Sequence, residues 1–137
     1  MGESQLELLE RLLARIDEYA RDVTRAQLEM DLDTWLKVSR ALELAAQCCL
    51  DLAMEIVARR GLGAPETYRD AFVRLSQAGL VTPTQSIELQ AWVGLRNVLA
   101  HMYTAVDLDQ VYTAMTDNKS VLREFGRLAA AELSQDP

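Results

Sequence analysis

The stretch Thr82-Pro83-Thr84-Gln85-Ser86-Ile87-Glu88-Leu89-Gln90-Ala91-Trp92-Val93-Gly94-Leu95-Arg96-Asn97-Val98-Leu99-Ala100-His101-Met102-Tyr103 decides the fold class. It opens with a threonine able to cap, a proline suited to the first helical position and a glutamine three residues after the cap, which together mark a helix start. Trp92, Leu95, Leu99 and Met102 then follow at spacings of three and four, the period of a helix with one face toward a core. On that reading Arg96, Asn97 and Ala100 lie on the side away from the core. Asp107-Leu108-Asp109-Gln110 repeats the start pattern, so this helix ends near Tyr103 or Thr104 and another runs to about Leu133.

Working back from this stretch, Gly79 closes a shorter helix with Tyr68, Phe72 and Leu75 as its inward residues, and Pro65 suits that helix's first turn. Before it, a long helix from about Asp33 to Arg59 places Leu36, Ala41, Leu44, Ala45, Cys48, Leu52 and Ile56 toward the core and ends at Gly61. Ser4-Gln5-Leu6-Glu7 has capping-box spacing, and Leu6, Leu9, Leu12, Leu13, Ile16, Tyr19, Ala20 and Val23 form the stripe of a first helix. The composition agrees: 50% of the residues are hydrophobic but only 6% aromatic, and Leu, Ala, Glu, Arg and Gln favour helices over sheets. The expectation is all-α, a single domain over residues 1–137 built as an antiparallel bundle of about five helices.

Composition also removes several function classes. The net charge of −7 argues against a protein that coats nucleic acid nonspecifically, because such proteins neutralise phosphates with Lys and Arg. The charge is unevenly spread: residues 1–58 sum to −6, residues 59–105 to +2 and residues 106–137 to −3. From Leu89 to Val106 there is no acid, and Arg96 is the only formal charge. An anion meets least repulsion there. Cys48 and Cys49 are adjacent in a helical run, where neighbouring side chains diverge, so buried thiols are expected rather than a disulfide. No apolar run approaches the roughly 20 residues that span a bilayer, and the start of the chain carries no secretory pattern. A cytoplasmic location and no membrane contact are expected.

The chain has one histidine, His101. With no cluster of His, Cys or carboxylate ligands, no glycine-rich phosphate loop and no glycine-flanked serine, neither a metal nor a cofactor is expected. What remains is one base and one fixed cation on one helix. Arg96 and His101 stand roughly 140° and about 7.5 Å apart on an ideal helix. Imidazole, with a reference pKa of about 6.5, can take a proton from a ribose 2′-hydroxyl at neutral pH. A guanidinium can hold the non-bridging oxygens of the phosphate under attack. An acid for the leaving 5′-oxygen is still required, and a two-fold dimer with this face at its axis supplies a second histidine. Other readings of the same residues stay open: His101 as a helix C-terminal cap, Arg96 as a solvated helix residue, Tyr103 as a core residue with its hydroxyl at the surface.

Arg96, Asn97, His101 and Tyr103 resemble the R-x4–6-H signature of the HEPN superfamily, and more narrowly the R-x4-H-x-Y form of HepT-like toxins. The likeness extends over Ala45 to Val57 with its Cys49-Leu50-Asp51-Leu52-Ala53 core, Pro65-x-x-Tyr68-Arg69-Asp70-x-Phe72, Leu75 to Gly79, and Leu95 through Val106-Asp107. The resemblance implies a toxin of a toxin–antitoxin system: a symmetric homodimer that cuts RNA without metal, Arg96 and His101 of both protomers carrying the chemistry and Asn97 supporting it. It also implies an MntA-like minimal nucleotidyltransferase antitoxin that adds AMP to Tyr103. A noncatalytic helical-bundle partner, or substrate-binding subunit, of a nucleotidyltransferase is the alternative that the sequence leaves open.

Overall fold

Thr82 and Gln85 cap each other: the Thr82 amide donates to Gln85 Oε1 at 2.9 Å and the Gln85 amide to Thr82 Oγ1 at 3.0 Å. In the computed structural model, which describes residues 2–101 and 107–134 and side chains from residue 5 onward, this box opens a helix at Pro83 as the sequence predicts. The elements in chain order are α1 (Gly2–Asp22), α2 (Arg25–Met30), α3 (Leu32–Arg59), α4 (Tyr68–Gln77), α5 (Pro83–His101), α6 (Leu108–Thr113), a π-helical turn (Ala114–Asn118) and α7 (Lys119–Leu133). The described residues hold no strand, and the bundle is all-α.

Helix α3 is the axis. It packs against α1, α2, α4, α5 and α7, and its fully buried Ala45, Ala46, Cys49 and Ala53 are small enough to let neighbouring helices approach closely. Larger side chains fill the spaces between: Leu9, Ile16, Leu42, Leu52, Ile56, Phe72, Leu75, Leu99, Met115 and Leu122 form one continuous core. The Phe72 and Phe125 rings meet edge to face, 5.6 Å between centroids, and the buried Ser86 hydroxyl donates to the Phe72 carbonyl at 3.1 Å, fixing α5 to α4. Cys48 and Cys49 are free and buried. Burial, with Asp51 nearby, pushes the Cys48 thiol up to about 11, and burial raises Cys49 as well; both stay protonated and behave as small core residues.

Two helix ends fall where glycine predicts them. Gly61 (φ 64) and Gly79 (φ 78) adopt the left-handed conformation, and in both cases the next amide reaches back to the helix, Leu62 to the Val57 carbonyl and Leu80 to the Leu75 carbonyl, the pattern of a Schellman stop.

Other expectations need correction. The first helix does not start after Ser4 but already runs from Gly2. Pro65 does not open α4: Thr67 accepts from the Asp70 amide at 3.0 Å and Asp70 accepts from the Glu66 amide at 3.1 Å, so the capping pair sits two residues further on. Leu36 is 45% exposed, since it lies about 200° around α3 from the fully buried Val38. Helix α2 was not anticipated, though Thr24 and Gln27 form a reciprocal capping box and Leu28 is 2% exposed beneath it. The expected last helix is interrupted by the π turn, where the Asn118 carbonyl accepts from the Trp92 indole at 3.0 Å. A π turn shifts the carbonyl pattern by one residue and commonly accommodates such an inserted partner.

Candidate active site

Arg96 leaves α5 toward α3 and α4 rather than away from the bundle, contrary to the helical-wheel expectation. It is half-buried. Its Nε and Nη2 both donate to Gln47 Oε1, at 2.8 and 2.5 Å, and its Nη1 donates to Asn97 Oδ1 at 2.8 Å. The guanidinium carbon lies 5.5 Å from the centre of the Tyr68 ring, a cation–π distance. Gln47 is in turn held by α3 and α4: its Nε2 donates to Asp51 Oδ1 at 2.8 Å and approaches the Tyr68 hydroxyl at 3.5 Å. Gln5 of α1 donates to the other Asp51 oxygen at 3.4 Å. Three helices thus orient one guanidinium.

The neutral amide at position 47 has an electrostatic consequence. Asp51 reaches Arg96 only through Gln47, and among the described residues no carboxylate pairs with Arg96. Of the five N–H donors of a guanidinium, three are used here, leaving one on each terminal nitrogen. A cation that is fixed in place and not neutralised is suited to hold an incoming anion.

Asn97 is exposed and anchors Arg96. His101 is the last described residue of α5 and is exposed, in reach of solvent and of any partner at this end of the helix. Tyr103 lies outside the described residues. Among those described, no group of His, Cys, Asp and Glu could hold a metal ion, and no helix is long and apolar enough to cross a membrane. The sequence alone does not place Gln47, Asp51 and Tyr68 at the site. Their signal was present: Gln47 and Asp51 are polar residues four apart, on one face of an otherwise apolar segment of α3.

The family described as ribonuclease HepT-like matches residues 9–128. The chain belongs to that family. It is 29% identical to the mRNA nuclease HepT of Shewanella oneidensis over 129 residues, covering 94% of this chain and 96% of the relative. It is 27% identical to the tRNA nuclease HepT of Aphanizomenon flos-aquae over 114 residues, covering 83% and 77%. Among solved structures, the tri-AMPylated Shewanella oneidensis HEPN toxin in complex with its MNT antitoxin superposes with a TM-score of 0.86 at 28% identity, covering 95% of this chain and 96% of that one. The Bacillus subtilis cytosolic protein YutE superposes at 0.82 with 21% identity, covering 97% and 88%; that likeness concerns the fold alone. The HepT-like resemblance read in Arg96, His101 and Tyr103 therefore names the right family.

Proposed function

We propose that this chain is the toxin of a toxin–antitoxin pair, a metal-independent RNA endonuclease that works as a homodimer with Arg96 and His101 of both protomers in one cleft. The whole chain serves as one functional domain. The neutral imidazole of one His101 takes the proton of the ribose 2′-hydroxyl, the 2′-oxygen attacks phosphorus, and the bond to the 5′-oxygen breaks. The other protomer's His101, as imidazolium, returns a proton to that leaving oxygen. Arg96 holds the non-bridging oxygens as their charge grows, and its fixed position means that little reorganisation is needed at the moment of reaction. The observation that carries this reading is the unneutralised Arg96, oriented by Gln47, Asn97 and Tyr68 on the helix that also carries His101.

Regulation is assigned to Tyr103. Its phenolic oxygen attacks the α-phosphorus of ATP bound by a nucleotidyltransferase antitoxin, and pyrophosphate leaves. The added nucleotide brings negative charge and bulk two residues from His101, which repels RNA and fills the site. The AMPylated Shewanella oneidensis toxin in complex with its antitoxin supports this assignment.

One experiment tests both parts. The purified chain is expected to cut RNA in EDTA, His101→Ala and Arg96→Ala to lose that cleavage, and wild type to be silenced by antitoxin and ATP while gaining AMP by mass spectrometry. Tyr103→Phe should gain no AMP. Equal cleavage by His101→Ala overturns the active-site assignment, and AMP on another residue overturns the choice of Tyr103.

A further inference from the structure

Gly94 is a glycine in the middle of a helix, where the residue type is unfavourable, and its surroundings show what its missing side chain admits. A Cβ built at Gly94 would stand 2.8 Å from Arg69 Nη2. The guanidinium of Arg69, from the first turn of α4, therefore lies directly against the α5 backbone. Gly94, Asn97 and His101 fall on one strip of α5. Asn97 is about 60° and His101 about 20° from Gly94 around the axis, and His101 lies about 10.5 Å further along. The adjacent Tyr68 meets Arg96 from the other flank. The first turn of α4, set by the Thr67 cap, thus straddles α5, with Tyr68 toward the arginine side of the site and Arg69 toward the histidine side.

Arg69 is exposed and, among the described residues, has no carboxylate partner. The nearest acid in sequence, Asp70, is occupied: it accepts from Arg74 at 3.0 Å and from the Glu66 amide, and these contacts hold its carboxyl below the usual range. Glycine at 94 and an acid committed elsewhere leave a second unneutralised cation against the strip of α5 that carries Asn97 and His101, two residues along the helix from Arg96.

We infer that Arg69 is a substrate-binding residue that holds a phosphate of the RNA next to the one that is cleaved. The inference rests on the ribonuclease reading for its biological meaning, but its test does not require cleavage. Binding of an uncleavable 2′-O-methyl oligoribonucleotide to the purified dimer is measured by fluorescence anisotropy across a salt series. Losing one phosphate contact predicts that Arg69→Gln weakens binding about tenfold and makes the slope of log affinity against log salt shallower by about 0.7. Arg69→Lys restores the slope, which counts charge rather than fork geometry. Gly94→Ala, which displaces Arg69 without removing its charge and favours helix, weakens binding while the melting temperature holds or rises. Wild-type affinity and slope in Arg69→Gln overturn the inference, as does wild-type binding in Gly94→Ala. Failure of the ribonuclease reading appears separately, as absence of RNA cleavage by the wild-type chain.

Discussion

Gln47 decides what Arg96 can do, because an amide orients a guanidinium without cancelling its charge. A carboxylate in the same place would hold Arg96 equally well and compete with phosphate for it. Gln47→Glu is therefore expected to leave the helical fold intact by circular dichroism and to lower RNA cleavage by about 10- to 100-fold; wild-type cleavage by this variant would remove Gln47 from the account. That Arg96, Asn97 and His101 share one helix was legible, because their spacing is a property of sequence. The direction of Arg96 was not, since it is set by Gln47 and Tyr68 on two other helices. Periodicity places a residue on its own helix and says nothing of what the neighbouring helices offer it.

At the scale of elements, the end of α1 and the start of α7 are tied through Asp17, which accepts from Lys119 at 2.9 Å and Arg123 at 2.7 Å. Partial burial raises the Asp17 carboxyl, but the hydrogen bonds and charges of Lys119 and Arg123 outweigh it and leave the group below its ordinary value. A carboxyl lowered in the folded state binds fewer protons there than in the unfolded chain. Its stabilisation is thus complete above the unfolded value of about 3.9 and lost as pH falls through the folded one. Asp17→Asn should cost about 1 kcal/mol at neutral pH and flatten the fall of melting temperature below about pH 4. Parallel melting curves for the two proteins across that range would contradict the assignment. Helix starts at Thr82 and stops at Gly61 and Gly79 could be read because each is written in adjacent residues. Helix α2 escaped because its six residues are too few to show a period, although its Thr24–Gln27 box uses the same chemistry as Thr82–Gln85. The π turn has no local signal, being linked to Trp92 from a different helix.

For the molecule as a whole, the all-α class followed from composition and period, whereas the assembly depends on a surface that one chain cannot define. A single histidine per chain gives each protomer half of an acid–base pair, so the active unit is the proposed dimer. On serial dilution, specific activity should fall in step with the dimer fraction measured by sedimentation; activity independent of concentration in a range where monomer prevails would refute the shared site. On the proposed ribonuclease reading, the net charge of −7 leaves the region around α5, where Arg96 and Arg69 stand unneutralised, as the place for RNA to bind. In the proposed reaction the His101 pair and Arg96 cut RNA by attack of its own 2′-hydroxyl. The most direct measurement is the chemistry of the fragment ends released in EDTA. Attack by the 2′-hydroxyl releases a 2′,3′-cyclic phosphate or its hydrolysis product opposite a 5′-hydroxyl and cannot cleave after a 2′-deoxy nucleotide; 5′-phosphate ends, or cleavage that EDTA abolishes, would refute this chemistry.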